Sequence, residues 1–209
     1  MILPASYFQQ ENVVHLAKDL IGKILLTRFS NKTTACIITE TEAYAGIHDK
    51  ASHAYNGKLT KRTKTMFEAG GIAYIYLIYG IHSLFNIVTN QQNIPHAVLI
   101  RGGYPISGFH YMRNRNGDKD LTKHSLRGPG KLSKLMGIHY SHDSFVLDKL
   151  NTNEDAIWIE DESWNQEIKK HIICSPRIGI DYAEEDALLP YRFALESKAD
   201  GILESFKAN

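Results

Sequence analysis

The sequence predicts an α+β fold, a single domain with a curved, mainly antiparallel β-sheet flanked by helices. Three observations carry the prediction. Apolar segments of strand length are grouped together with helices inserted between groups, not in the strict alternation that a parallel sheet demands. Short connections such as "SNK", "YGIH" and "QQNIP" separate successive strands, as antiparallel neighbours require. With 43% hydrophobic residues over 209 positions, the chain can bury one substantial core, so one domain over residues 1–209 without an internal linker is expected.

Taken in order, residues 10–21 place Val13, Leu16, Ala17, Leu20 and Ile21 at helical spacing, and Gly22 supplies a stop. "KILLTRF" and "TTACIITETEAY" then form a hairpin over "SNK". Residues 46–71 show no period and read as a long loop, a kind of segment that in compact domains is usually functional or mobile. "IAYIYLIYG", "SLFNIVTN" and "HAVLIRGG" make an antiparallel meander; "ISGFHYMRNR" and "KLSKLMGI" are helices; "AIWIE", "RIGI" and "YRFAL" are short late strands.

The 24 basic and 23 acidic residues give a formal charge of +1, which alone predicts no polyanion partner. Their distribution is uneven. Lys50, Lys58, Lys61, Arg62 and Lys64 lie together with no acid among them, and Arg101, Arg113, Arg115, Lys123, Arg127, Lys131 and Lys134 follow against only Asp118 and Asp120. Acids collect later, at 160–162 and 184–186. Such asymmetry either builds a cationic face suited to a phosphate backbone or decorates solvated loops. Two cysteines, Cys36 and Cys174, are too few for a disulfide framework or a four-thiolate zinc site. No basic leader opens the chain, and no stretch approaches the ~20 apolar residues of a membrane helix, so a soluble intracellular protein is expected.

Several constellations can carry chemistry. Along "CIITETEAY", strict alternation puts Cys36, Ile38, Glu40, Glu42 and Tyr44 on one face, a face that starts in a core and ends in carboxylates. Alternation in "HAVLIRGG" likewise puts Ala97, Leu99 and Arg101 together. Arg101 and Glu42 facing a cleft could hold and activate a water without a metal, or form a structural ion pair; spacing does not choose. Tyr74 and Tyr76 share a face, whereas Tyr79 is expected at a hairpin tip with Gly80 opening the turn. "RGPGKLSK" lacks the spacing of a Walker loop, leaving Gly128 to Lys131 as a helix start that meets one phosphate or as a plain turn. The pairs His48/His53 and His139/His142 lack a third ligand at a recognised spacing, so neither a metal nor another cofactor is expected.

Together, "ETEAYAG", "DKASHA", "RTKTMF", "AYIYLIYGIHSLFNIV", "HAVLIRGGYP", "GPGKLSKLMGI" and "SPRIGI" occur in one order and resemble the alkyladenine (3-methyladenine) DNA glycosylase family of base-excision repair, the methylpurine-DNA glycosylase type. The resemblance covers most of residues 10–193. It implies that Glu42 is the general base that activates water and that Arg101 helps hold it. Tyr44, His53, Tyr76 and Asn86 become the base pocket, with Asn86 crowding a guanine 2-amino group and His53 offering hydrogen bonds to the base or its phosphate. Tyr79 becomes the intercalating side chain. The basic clusters add Lys58, Arg62, Lys64 and Lys131 as phosphate contacts. One departure is Thr63 after Arg62, where the family commonly has Arg-Asn. The implied partner is double-stranded DNA containing alkylated or deaminated purines, and the implied enzyme is a monomeric, monofunctional glycosylase that flips the base out. A cytoplasmic, nucleoid-associated bacterial protein is expected. Two rivals stand beside this: a non-catalytic nucleic-acid-binding module with a tyrosine stacking platform, and a metal-dependent hydrolase built on His48, His53 and Asp49.

Overall fold

The computed structural model describes residues 1–147, 154–162 and 165–205; positions 148–153, 163–164 and 206–209 of the expected domain lie outside the described residues. Its strands are β1 (Ile24–Phe29), β2 (Lys32–Tyr44), β3 (Ala73–Ile78), β4 (His82–Thr89), β5 (His96–Ser107), β6 (Leu126–Arg127), β7 (Ala156–Glu160), β8 (Ile172–Ser175) and β9 (Arg192–Leu195). The helices are α1 (Ala5–Phe8), α2 (Val13–Asp19), α3 (Phe109–Arg115), α4 (Pro129–Met136), α5 (Asn165–Lys169) and α6 (Asp200–Ser205).

All strands join one antiparallel sheet whose main path runs β3-β4-β5-β2-β1-β7. β2 is its hub. One edge of β2 pairs with β5, and the other is divided between β1 and β9, which takes Glu40 to Glu42. The predicted hairpin and meander are both present.

Alternation along the meander separates two environments. Ala73 and Ile75, Phe85 and Ile87, and Val98 and Ile100 join Leu16 and Ala17 of α2 and Leu132 and Leu135 of α4 in the main core. Tyr74, Val88 and Ala97 project the other way, into a smaller cluster with Ala54 and Met66 of the 46–71 segment. That segment contains only short 3-10 turns, Gly46–His48, Tyr55–Gly57 and Lys64–Phe67. It lies across the second face and walls off a cavity there.

Some sequence expectations need correction. The first amphipathic helix is shorter than 10–21, because Asn12 caps it by accepting from the His15 amide, and Gly22 (φ +89°) turns the chain so that its amide reaches the Ile38 carbonyl. "RIGI" is no strand. The Ile178 amide bonds a side chain, Gly179 has φ +76°, and the ladder instead uses Ile172–Ser175 just upstream. The expected shared face of Glu40, Glu42 and Tyr44 is present, since Arg101 Nε lies against both glutamates and the Tyr44 hydroxyl donates to Glu42. Upstream, Cys36, Ile37 and Ile38 are all in the main core, and register shifts flank Glu40.

Outside the cavity lining, Asp19 anchors a half-buried charged cluster. It accepts from the Tyr7 hydroxyl and the Lys169 ammonium and lies 3.5 Å from Lys23, a lysine only 2% exposed that also pairs with Asp161 at 3.0 Å. Burial alone would raise the Asp19 pKa, but the hydrogen bonds from Lys169 and Tyr7 and the charges of Lys23 and Lys169 prevail, holding it at about 2. Because the folded value lies below the ordinary 3.8, the cluster stabilises the fold fully above pH 3.8 and loses that contribution as pH falls through 2. Asp19→Asn is therefore expected to cost roughly 2 kcal/mol near neutral pH. In urea unfolding, the gap between wild type and variant should close as the pH is lowered; a gap independent of pH would show that the carboxylate charge is not responsible.

Candidate active site

Register alone lines up the central side chains. Tyr74 is paired with Asn86, Asn86 with Leu99, Leu99 with Glu42, and Glu42 with Arg192, so this row crosses β3, β4, β5, β2 and β9. Directly paired residues place side chains on the same face. Tyr76 with Leu84, and Tyr44 with Ala97, form flanking rows.

A local irregularity then concentrates charge. Glu40 pairs with Gly102, whereas Ile38 pairs with Gly103 and Thr41 with Ile100, which leaves Thr39 and Arg101 unpaired as extra residues on facing strands. Gly102 makes the contact possible, since a Cβ there would stand 3.1 Å from the Cβ of Glu40. The Nε of Arg101 thereby donates to Glu40 Oε1 at 3.0 Å and approaches Glu42 Oε1 at 3.4 Å. Arg192 Nε donates to the same Glu40 oxygen at 2.6 Å. Glu40 is thus the brace between two arginines.

Glu42 is wholly buried. Its Oε1 accepts from the Ile178 amide at 2.8 Å and its Oε2 from the Tyr44 hydroxyl at 2.8 Å. Burial pushes its carboxyl above the ordinary glutamate value; the Arg101 charge, the Ile178 amide and the Tyr44 hydroxyl restrain that rise. Burial and the neighbouring Glu42 charge raise Tyr44 well above the usual tyrosine value, so its hydroxyl remains a donor. Ionised carboxylate has about four acceptor positions; Oε2 keeps one beyond the Tyr44 bond.

The Ile178 amide is held in place by its neighbour. Arg177 is buried and makes a two-pronged pair with Asp49, Nη1 to Oδ2 at 2.5 Å and Nη2 to Oδ1 at 2.9 Å, while also donating to the carbonyls of Ala43 and Asp186. Its guanidinium lies 4.9 Å from the Tyr44 ring centre. Asp49 further accepts from the amides of Ala45 and Ala51. Its oxygens are thus committed, and His53 is engaged elsewhere, so the metal site imagined on His48, Asp49 and His53 is not assembled. Among the described residues no cluster of three His, Cys, Asp or Glu could hold a metal ion.

Beside this floor lies a cavity of ≈ 480 Å³ lined by Tyr44, His53, Arg62, Tyr76, Asn86 and Arg101, and also by Tyr79, His82, Gly130, Ile178 and Tyr182. Glu42 is not part of its lining. The His53 ring stands 4.6 Å from Tyr76 at 73°, and its Nδ1 lies 2.9 Å from the Tyr74 hydroxyl. Burial first, then the Arg62 and Lys58 charges, lower His53 to about 4, so the imidazole is neutral at physiological pH. Asn86 is fixed by its Nδ2, which donates to the carbonyls of Tyr74 and Leu84.

β3 ends at Ile78, and Tyr79 (φ +53°) with Gly80 (φ +71°) turns the hairpin, leaving the Tyr79 ring 86% exposed beside an exposed Ile81. Lys58, Lys64 and Lys131 are exposed, and Arg62 reaches the cavity. Thr63 braces its own loop: Oγ1 donates to the Lys58 carbonyl and accepts from the Thr60 amide. Arg177, Glu40 and Tyr182 carry no sequence signal beyond residue type, because only long-range pairing gives them partners.

The residues 7–199 match the model of the family described as Methylpurine-DNA glycosylase (MPG). A Chlamydia felis protein is 46% identical over 198 residues, covering 94% of this chain and 97% of its own. A Natranaerobius thermophilus protein is 43% identical over 194 residues (92% and 94%), and one from Bdellovibrio bacteriovorus is 39% identical over 195 (93% and 95%). All three carry the name "Putative 3-methyladenine DNA glycosylase".

Asp49→Asn removes the charge that compensates a buried guanidinium, a loss worth about 3–5 kcal/mol. Chemical denaturation should show that drop; a change below about 1 kcal/mol would mean that the two loops are held together by other contacts.

Proposed function

The chain belongs to the methylpurine-DNA glycosylase family, and from that membership we propose that it removes alkylated or deaminated purines from double-stranded DNA as a monofunctional hydrolase. The observation that carries this reading is the convergence of Arg101, Tyr44 and Tyr76 at one cavity, with the Glu42 carboxylate directly behind them, 3.4 Å from Arg101 and bonded to the Tyr44 hydroxyl. A base stacked in a duplex hides its sugar carbon, so the nucleotide is everted at a cost of about a few kcal/mol, least where a lesion has weakened pairing. Tyr79, exposed at the hairpin tip, fills the vacated stack as a wedge.

The everted base lies between Tyr44 and Tyr76. Ring alkylation can make the purine cationic, and a cation on an aromatic face gains roughly 0.5–2 kcal/mol that a neutral base does not. Asn86, its orientation set by two backbone carbonyls, crowds the position of a guanine 2-amino group. Exposed Lys58, Lys64 and Lys131 contact the phosphates around it.

Hydrolysis then needs one water. Glu42 takes a proton from it and Arg101 holds it; the water oxygen bonds to the sugar carbon as the C–N bond breaks. The bonding pair leaves with the base, neutralising a cationic lesion, and an abasic site remains. In the free protein Tyr44 and Ile178 close over Glu42, so the water is admitted at Oε2 as Tyr44 shifts against the entering base. Burial raises the basicity of Glu42 and Arg101 limits its protonation, the balance that a general base requires.

Glu42→Gln should abolish base release from alkylated duplex while keeping lesion binding within about tenfold. Unchanged excision by the variant would remove Glu42 as the base, and absence of excision by the wild type would return the site to the non-catalytic stacking module. Since the base must be ionised, single-turnover rates should fall with decreasing pH at a midpoint above the ordinary 4.5; a midpoint at or below 4.5 would contradict the buried-base mechanism.

A further inference from the structure

One component of the cavity is not explained by catalysis or by the walls. Arg62 lies with its Cζ 4.6 Å from the centre of the Tyr76 ring and its Nη2 3.3 Å from His53 Nε2. It lines the cavity that the base is to enter. Among the described residues no carboxylate pairs with it.

These contacts define its chemistry. A guanidinium has only donors, so His53 Nε2 is the acceptor and the imidazole proton sits on Nδ1, facing the Tyr74 hydroxyl at 2.9 Å. Arg62 thus offers His53 and Tyr76 a flat cation with N–H donors on its edge. An alkylated aminopurine has those same features. One ring face holds a single planar group at van der Waals separation, so the base, cationic on DNA or neutral once released, and the guanidinium are mutually exclusive occupants.

We propose that Arg62 is a placeholder cation: it occupies the stacking face of Tyr76 in the free enzyme, is drawn out by DNA phosphate, and returns to evict the released base. The proposal rests on the glycosylase reading of the cavity. Its energetic logic is an exchange. Lys58 and Lys64 are exposed on the same segment as Arg62, so a backbone docking there brings phosphate oxygens within reach of the guanidinium, which binds phosphate in two-pronged fashion. A base attached to DNA therefore displaces Arg62 with compensation, whereas a free purine displaces it with none. Arg62 consequently selects DNA-linked purines over free ones and limits inhibition by product.

Titration calorimetry with free 3-methyladenine tests this directly. Arg62→Ala should bind the free base about tenfold more tightly than wild type while binding alkylated duplex more weakly. Arg62→Lys keeps the charge but lacks the planar fork, so it should bind free base like the alanine variant and duplex better than that variant does. Free-base affinity unchanged or weakened in Arg62→Ala would overturn the proposal and leave Arg62 a backbone contact only. A second readout is the side-chain ¹⁵N spectrum of His53: wild type should show a protonated Nδ1 and bare Nε2, and Arg62→Ala an averaged pair. A protonated Nε2 in wild type also overturns it. Neither measurement passes through catalysis, so absence of excision by the wild-type enzyme would count against the glycosylase reading alone.

Discussion

The enclosure of the Glu42 carboxylate is the constraint on which the rest of the site depends. An isolated buried charge is so costly that the group normally protonates instead. Here Arg101 from β5, the Tyr44 hydroxyl from β2 itself and the Ile178 amide all turn toward it. Each partner comes at a structural cost elsewhere. Arg101 reaches inward because paired irregularities free it from the ladder, and Glu40 then braces it together with Arg192.

The Ile178 amide depends in turn on the buried Asp49–Arg177 pair, which joins the start of the 46–71 segment to the loop before β9. The same guanidinium lies against Tyr44. One ion pair therefore positions a hydrogen-bond donor to the carboxylate, an aromatic wall and the loop that encloses the cavity. Buried pairs of this kind are poor sources of net stability. Their use here is geometric, because the forked guanidinium admits only one arrangement of the two loops.

Sheet and loop thus have different tasks. The antiparallel ladder supplies a rigid floor in which Tyr74, Asn86, Leu99 and Glu42 are aligned by pairing alone. The 46–71 segment contributes His53 and Arg62 from irregular backbone, stabilised by Thr63 and by the small cluster around Met66. Arg62 belongs to the exposed part of that segment, yet its guanidinium lies against Tyr76 at the cavity.

Much of this was legible in the chain itself. Period-two patterns located the hairpin and meander, the Tyr79–Gly80 pair marked a turn, and the order of motifs indicated the family. Local pattern failed where long-range partners intervene: "RIGI" looks like a strand, yet its Ile178 amide is taken by Glu42 and its Arg177 by Asp49. "IICS", with exposed central residues, gave no signal yet pairs with β9. The irregularity at Glu40 was likewise hidden, because an extra residue on each strand is invisible until the two are paired. The sequence by itself determined which residue types are available for acid, base and aromatic chemistry, and it located the hairpin and the meander, since both follow from residue type and local spacing. Only the tertiary structure decided that Glu42 is sealed beneath Tyr44, that Glu40 serves Arg101, and that Arg62 rests on Tyr76. Those relations join residues far apart in the chain, and their energies arise from water exclusion and register, which exist only once the sheet has formed.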